Sequence, residues 1–215
     1  MYPVLITGST VMLRELTNAD AVALHKVYGN EEATRQLSFE PRSMEQVEGI
    51  IKAAMQSATA EPRTEYMLAV AGNDEELIGS ARLATGEYES AQIGFALRPD
   101  QWGQGKGLET VRLLQRLGFT ELGLHRIWGA RSPLNKASAR TMRTAGMIEE
   151  GTIRGHLFTR GKWRDSIVHS ILREEFAHQQ ASTFRSPRAA TQVVRRLTGC
   201  RQHGGSAWWL SISGR

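Results

Sequence analysis

Residues 98–114, RPDQWGQGKGLETVRLL, place glycines at three alternate positions immediately before a run with helical periodicity. The first N–H groups of a helix lack internal partners, and the aligned peptide dipoles leave partial positive charge at that end. Glycines let the backbone approach a ligand closely and adopt left-handed conformations. The stretch therefore favours an anion-binding loop, with a flexible surface turn as the alternative interpretation.

The segments around this loop predict a mixed α/β (α+β) fold. Their order is one strand, two helices, three strands, a helix, a strand, a helix and two strands, which indicates a sheet of about seven strands with helices on its faces. The three successive strands before the loop predict an antiparallel meander. The predicted strands are 11–16, 66–72, 76–85, 91–99, 125–132, 147–159 and 163–172, and the predicted helices are 17–29, 43–55, 108–117 and 135–146.

The charge of the chain is unevenly distributed. The 215 residues carry a net charge of +5. No acidic residue follows Glu175, and six arginines there carry +6, which leaves residues 1–175 at −1. The basicity thus belongs to the C-terminal segment, which is rich in Ser, Gln, Gly and Arg, and the nearly neutral body shows no preference for a strongly charged partner.

Cysteine and histidine usage bounds the compartment and the metal chemistry. Cys200 is the single cysteine, so an internal disulfide framework is excluded and a reducing compartment is expected. The six histidines have neither the spacing nor the carboxylate partners of metal ligands, so we expect no catalytic metal. The first residues, MYPVLITGST, resemble no secretory signal, and no run of about 18 apolar residues occurs. The sequence predicts a cytoplasmic protein without a membrane partner.

Four segments in this order resemble the GNAT superfamily of acyl-CoA-dependent N-acyltransferases, and within it the bacterial ribosomal-protein N-terminal acetyltransferases of the RimJ and RimL type. The resemblance covers roughly 8–173 and implies a GNAT fold, with a mostly antiparallel sheet whose central strands splay apart. It also implies an N-acetyltransferase domain at 1–176, followed at 177–215 by a basic extension that is partly ordered or packed on a partner. The segments are LRELTNADA, QIGFALRPDQWGQGKGLETVRLL, HRIWGARSPLNKASARTMRTAGM and GKWRDSIVHSIL.

The resemblance implies acetyl-CoA (coenzyme A) as the cofactor. Backbone N–H groups of 103–108 are expected to hold its pyrophosphate at the helix N-terminus. Trp102 stands where relatives carry Gln or Arg, so it is expected to contribute packing and a backbone N–H. Backbone groups of the preceding strand are expected to hold pantetheine and the acyl carbonyl. The implied contacts are Phe95, Ala96 and Leu97 in the strand and Trp102, Gly103, Gln104, Gly105, Lys106, Gly107 and Leu108 in the loop.

Asn135 and Ser138 match an Asn-x-x-Ser motif of the family. The resemblance implies that Asn135 binds pantetheine and that the Ser138 hydroxyl lies near the sulfur, whereas a helix N-cap is the alternative interpretation for either residue. Many relatives have a tyrosine acid seven residues after the asparagine, where this chain has Met142. Ser138 is therefore the best candidate to protonate the leaving thiolate, with water as the alternative.

The general base is less well marked. Gln92 stands where relatives in this branch often carry a glutamate, and an amide cannot accept the proton. Glu89, and after it Glu87, are candidates that would act through water, although a solvated turn carboxylate is the more common fate of such residues. His156 is a further candidate base, with a surface hairpin position as the alternative interpretation, and Asp165 is expected to order the closing hairpin.

The leading hypothesis is an N-acetyltransferase that acts on a primary amine of a protein N-terminus or of a small metabolite or antibiotic. The acceptor is expected to be chosen by 28–45 and 152–163. The alternative is an RNA- or ribosome-associated protein whose arginine-rich tail contacts phosphates while Trp208 and Trp209 stack on bases, the acyl-CoA site being secondary. Salt-dependent RNA binding that disappears on deletion of 177–215 would discriminate the two. The apolar segment 207–212, AWWLSI, is compatible with a homodimer.

Overall fold

The computed structural model describes residues 2–184, with side chains described up to Ala181. That part of the chain holds eight strands and six α-helices. The strands are β1 Leu5–Thr7, β2 Met12–Glu15, β3 Glu65–Ala71, β4 Leu77–Thr85, β5 Ser90–Leu97, β6 Arg126–Arg131, β7 Ile148–Thr159 and β8 Lys162–Leu172. The helices are α1 Ala21–Tyr28, α2 Glu31–Thr34, α3 Met44–Ala58, α4 Lys106–Arg116, α5 Lys136–Thr144 and α6 Arg173–Phe184.

The strands form one sheet in the order β1-β2-β3-β4-β5-β6-β8-β7. Neighbouring strands are antiparallel, except that β5 and β6 are parallel. The predicted α/β fold with a mostly antiparallel sheet is thereby confirmed. The eighth strand is β1, which the sequence did not reveal because three residues are too few to show an alternation. The sequence also gave no indication of α2, a single turn, or of α6.

The sheet separates two apolar cores. Alternate residues of a strand point to opposite faces, so each strand contributes to both. On one face α4 and α5 cover a core that includes Leu68, Ile93 and Ile127. On the other face α1 and α3 cover a core that includes Ala69 and Ala96. We call these the α4 face and the α1 face.

The central strands β5 and β6 diverge along their length. They pair only at Ser90↔Arg126, Ala91↔Ile127 and Gln92↔Trp128. Beyond Gln92, β5 remains paired with β4, and β6 remains paired with β8. The result is a wedge-shaped opening, which we call the splay, at the carboxyl ends of both strands. The predicted separation of the central strands is confirmed.

Helix ends follow the local sequence signals. Ser43 and Gln46 form a reciprocal capping box at the start of α3, with bonds of 3.2 and 3.0 Å. Gly146 follows α5 with a φ of +82°, which favours glycine at a helix end. No helix among the described residues is both long enough and apolar enough to cross a membrane. Most of the predicted extension, from 185 to 215, lies outside the described residues, as do Trp208 and Trp209, and the boundary after 176 stays a prediction.

Candidate active site

The glycine loop opens directly onto α4. Gly103 and Gly105 have φ values of +74° and +78°, in the region that disfavours other residues. The first bond into the helix runs from the Glu109 N–H to the Gly105 carbonyl at 3.1 Å. Within residues 2–184, the N–H groups of 103–108 have no assigned protein acceptor. A Cβ at Gly103 or Gly105 would meet no atom within 4 Å, so the surface beside these amides is open.

Lys106 is the first residue of α4, where a cation opposes the helix dipole. Its Nζ donates to Gln101 Oε1 at 2.5 Å. No carboxylate within the described part of the chain forms an ion pair with it. A bound anion would relieve the repulsion between this ammonium group and the helix N-terminus. The charge of Lys106 and the free amides therefore both fit a phosphate ligand.

Glu109, in the first turn of α4, has its carboxylate engaged by hydrogen bonds from another part of the chain. Its carboxylate accepts hydrogen bonds from the backbone N–H groups of Ser9 and Thr10 and from the Thr10 hydroxyl. Burial disfavours its ionised form, but these hydrogen bonds outweigh burial and lower the pKa of Glu109. The carboxylate thus fastens the start of α4 to the turn between β1 and β2.

The backbone of β5 presents alternate residues to the splay. The Arg98 N–H donates to the Ile78 carbonyl at 2.9 Å, which fixes the alternation of the antiparallel pair. By that alternation the polar backbone groups of Ala96 face β4, whereas those of Phe95 and Leu97 face the splay, where β6 no longer pairs. Gly107 lets α4 approach this strand, since a Cβ there would lie 3.3 Å from the Phe95 ring.

Trp102 lies beside the carboxyl end of β5, on one side of the splay. Trp102 Nε1 donates to the Leu97 carbonyl at 2.9 Å, and its backbone N–H donates to the Pro99 carbonyl at 3.1 Å. The residue is 46% exposed, and the backbone N–H expected to serve the cofactor is already bound to the Pro99 carbonyl. The sequence had no signal for the indole contact.

Asn135 and Ser138 lie on the other side of the splay, at the start of α5. Asn135 Oδ1 accepts from the Ser138 N–H at 2.9 Å, so Asn135 is the N-cap and Ser138 contributes its backbone to the cap. The Ser138 hydroxyl has no assigned partner among the described residues and is half-buried. Since α4 and α5 follow the carboxyl ends of β5 and β6, the structure brings the loop, Phe95, Leu97, Asn135 and Ser138 together around one opening.

Glu89 lies elsewhere. It precedes β5 at the end where β5 and β6 are still paired, about 20 Å of extended chain from Phe95. Its carboxylate side chain is 70% exposed and lies 3.5 Å from Arg173. Glu87 is in the same exposed turn. The structure does not bring either carboxylate to the splay.

The two segments expected to choose the acceptor do meet. Arg160 donates from its N–H to Glu40 Oε1 at 3.0 Å and from Nη1 to Glu31 Oε1 at 2.6 Å. Arg164 Nη1 donates to the Leu37 carbonyl at 2.9 Å. An open cavity of about 400 Å³ lies between the two segments and is lined in part by Phe39, Arg42 and Phe158.

The two other candidate residues, His156 and Asp165, lie in the closing hairpin. Asp165 accepts from the Gly155 N–H at 2.8 Å, which is the hairpin contact expected for it. His156 is partly buried, and its Nδ1 has no partner within the described residues. No group of three His, Cys, Asp or Glu side chains with metal-binding geometry occurs in residues 2–184.

A buried polar cluster that the sequence did not reveal supports the segment before α5. Arg131 Nε donates to Nε2 of the fully buried His169 at 3.0 Å, and Arg131 Nη2 donates to Glu149 at 3.1 Å. Arg131 Nη1 donates to the carbonyls of Ser132 and Pro133 at 3.2 and 3.4 Å. Burial and the charge of Arg131 lower the pKa of His169. The cluster fixes the chain that carries the α5 cap.

Comparison with known proteins places this geometry in a family. The model of the acetyltransferase (GNAT) domain matches residues 10–148, which include the loop, both splayed strands and the start of α5. The uncharacterized N-acetyltransferase YoaA of Bacillus subtilis (strain 168) is 29% identical over 177 residues, covering 80% of this chain and 98% of YoaA.

Two further proteins resemble the chain. The ribosomal protein uS5-alanine N-acetyltransferase of Escherichia coli (strain K12) is 28% identical over 108 residues, covering 46% of this chain and 53% of that enzyme. Mycobacterium smegmatis RimJ in complex with CoA-disulfide has the same fold, with a TM-score of 0.70 at 22% identity over 86% of this chain and 96% of RimJ. The resemblance to the RimJ and RimL type is thereby confirmed.

Proposed function

This chain belongs to the acetyltransferase (GNAT) family and is an N-acetyltransferase, and we propose that it transfers the acetyl group of acetyl-CoA to a primary amine within a ternary complex. One observation carries the proposal: the amides of 103–108 and the unpaired edge of β5 border the same opening. A helix N-terminus suits a pyrophosphate, and a free strand edge suits an extended amide chain. Coenzyme A combines both groups.

Acetyl-CoA supplies the reactive thioester when bound. Phe95 offers a backbone N–H and carbonyl, and Leu97 an N–H, to the pantetheine and acyl carbonyl, while the Leu97 carbonyl stays with Trp102. The Asn135 amide nitrogen donates to pantetheine while its Oδ1 holds the cap. The Ser138 hydroxyl donates to the departing thiolate. Glu89 has no role in this proposal because of its distance from the splay.

The acceptor enters, in this proposal, through the cavity between 28–45 and 152–163. The Escherichia coli relative is named for an alanine of ribosomal protein uS5, which supports a protein N-terminus as one acceptor class. A small metabolite or antibiotic amine is the other acceptor class. A catalytic domain at 1–176 with a basic extension at 177–215, a cytoplasmic location and a homodimer belong to the same proposal.

The experiment is an acceptor screen with the full chain. Acetyl-CoA is mixed with panels of N-terminal peptides and of small primary amines, and free thiol is followed together with the mass of each amine. We expect thiol release in step with acetylation for at least one class, and no release without an amine. Absence of acetyl-CoA binding by calorimetry would overturn the coenzyme site itself.

A further inference from the structure

Attack by an amine on a thioester releases a proton, and the described residues at the splay leave its acceptor unassigned. Gln92, the last residue of β5 that pairs with β6, is an amide and cannot take it. The register of the sheet identifies a carboxylate that shares its surface. Glu65 of β3 pairs with Ala84 of β4, Ala84 pairs with Gln92, and Gln92 pairs with Trp128 of β6.

These four residues form one row across four strands, with their side chains on one face. Tyr66 and Ile93 belong to the core of the α4 face, so Glu65 and Gln92, which alternate with them, point to the α1 face. Two strand spacings put the Cα atoms of Glu65 and Gln92 about 10 Å apart. The short side chain of Ala84 between them leaves that space open to water, and all three residues are half-exposed.

The next position along β5 is also open. A Cβ on Gly94 would meet no atom within 4 Å, so the α1 face of β5 is uncovered where the splay begins. Gly94 pairs with Arg82 of β4. Arg82 donates from Nε and Nη2 to the two carboxylate oxygens of Glu65 at 2.5 and 2.9 Å. This bidentate contact holds the Glu65 carboxylate on the row, next to the opening.

A second carboxylate, Glu150, lies beyond the other end of the row, where it contacts Ser170, the partner of Trp128 on β8. It accepts hydrogen bonds from Arg126 and Ser170, which lower the pKa of Glu150 to about 2. Arg126, which holds Glu150, pairs with Ser90 at the closed end of β5 and β6.

Arg82, which holds Glu65, pairs with Gly94 where the splay begins, so of the two carboxylates only Glu65 is held beside the opening. The Glu150 side chain is 39% exposed, close to the 36% of Glu65. Glu150 is therefore a matched control for Glu65.

We propose that Glu65 accepts, through one water molecule, the proton that the attacking amine loses. The bond between the amine nitrogen and the acyl carbon forms while the bond between carbon and sulfur breaks. The proton passes from the nitrogen to the water while the water gives one to Glu65, and the thiolate leaves with a hydrogen bond from the Ser138 hydroxyl. The proposal rests on the acetyl transfer proposed above, and it assigns the base to β3 rather than to the turn before β5.

The test compares Glu65→Gln with Glu150→Gln at pH 7, using an amine that the wild type acetylates. We expect Glu65→Gln to lower kcat/KM by about 10²- to 10⁴-fold, the usual effect of removing a general base. Glu150→Gln should keep kcat/KM within about threefold, since Glu150 takes no part in proton transfer. Affinity for CoA, measured by calorimetry, should stay unchanged in both, because the loop and the splay are untouched.

A pH profile separates proton transfer from a structural effect. The deficit of Glu65→Gln should shrink at high pH, where hydroxide accepts the proton in place of the carboxylate, and Glu65→Asp should recover part of the activity. A wild type that acetylates amines together with a Glu65→Gln of equal kcat/KM would overturn this inference alone. A deficit that is constant across pH would also overturn it. A wild type without any acetyl transfer would overturn the proposed function instead.

Discussion

The two sides of the proposed active site are built in different ways. The proposed coenzyme side uses backbone groups: the amides of 103–108, two left-handed glycines and the edge of β5 beyond its pairing with β6. The proposed acceptor side uses side chains from segments far apart in sequence, such as Arg160 and Glu31, which are 129 residues apart. The coenzyme is common to the whole family, whereas acceptors differ among its members. Backbone recognition suits the first task, and variable side chains suit the second.

The largest expected effect is the loss of CoA affinity when a charged side chain is introduced into the glycine loop. Gly105→Glu should weaken CoA binding by about 100-fold or more, because like charges brought together cost several kcal/mol and each 1.4 kcal/mol is tenfold in Kd. The substitution places a carboxylate where the pyrophosphate is expected and forces a side chain onto a φ of +78°. Calorimetry of CoA binding by the folded variant measures the effect.

Gly105→Asn separates charge from backbone strain in that experiment. Asparagine tolerates the left-handed conformation better than other residues and adds no charge. We expect Gly105→Asn to bind CoA more tightly than Gly105→Glu. Unchanged affinity in a folded Gly105→Glu protein would contradict the loop assignment.

The second effect concerns the reacting end of the coenzyme side. Ser138→Ala should lower kcat and kcat/KM together by about 10- to 1000-fold, as expected for the loss of a positioned acid, with little change in CoA affinity. The cap of α5 should survive, because Asn135 bonds to the Ser138 backbone N–H and not to its hydroxyl. Turnover, CoA affinity and melting temperature together test this prediction.

Asn135→Ala is the matched control for Ser138→Ala. It removes the N-cap, which costs about 1 kcal/mol of stability, and it removes the proposed contact with pantetheine. Melting temperature and CoA affinity should therefore both fall. Full turnover in Ser138→Ala would leave water as the proton source and remove Ser138 from the mechanism.

The same contrast explains what the sequence could and could not predict. The glycine spacing, the helix periodicity after it and the Asn-x-x-Ser segment are local signals, and the structure gathers those residues around the splay. Proximity to Gln92 in sequence makes Glu89 a candidate base, yet Glu89 lies at the closed end of the strand pair. Glu65 is 27 positions from Gln92 and becomes its neighbour only through the pairing of β3, β4 and β5.

Polar contacts between residues that are far apart in sequence could not be predicted from the sequence either. Arg131 and His169 are 38 residues apart and meet only when β6 pairs with β8. Arg98 and Glu76, which join the end of β5 to the turn before β4, form a partly exposed ion pair that likewise depends on strand pairing. Propensity and spacing carry no information on such pairs, because their geometry depends on strand order and register.

The third effect, on the KM for the amine, concerns the loop beside the cavity on the proposed acceptor side. Arg164 Nη1 ties β8 to the carbonyls of Gln36 and Leu37. Arg164→Met removes both hydrogen bonds. Each contributes about 1.5–3 kcal/mol, because the donor is charged. The loop beside the cavity should therefore become less ordered. We expect KM for the amine to rise about tenfold, with CoA affinity unchanged. Steady-state kinetics with the amine varied measures the change.

Arg160→Met provides the comparison on the same hairpin. Arg160 pairs with Glu31 in an exposed ion pair, and such pairs contribute about 0–1 kcal/mol. The KM of Arg160→Met should therefore change less than that of Arg164→Met. An equal rise in both variants, or a fall in CoA affinity, would contradict the assignment of this loop to the acceptor alone.

The smallest expected effect is a change in the pH dependence of stability caused by the buried Arg131–His169 contact, which supports the segment before α5. The pKa of His169 is lowered from 6.5 by burial first and by Arg131 second. The unfolded chain therefore binds a proton near pH 6.5 that the folded protein does not bind until lower pH, and stability is lost as the pH falls below 6.5.

His169→Gln keeps an acceptor for Arg131 and removes the titration. Between pH 7.5 and 5.5 the wild type should lose up to about 1.4 kcal/mol more unfolding free energy than the variant, measured by urea titration. Carboxylates with lowered pKa, such as Glu150, affect both proteins equally and cancel in the difference. Identical pH dependence in the two proteins would show that His169 gains its proton as readily in the folded state, and the Arg131–His169 contact would then not depend on a neutral imidazole.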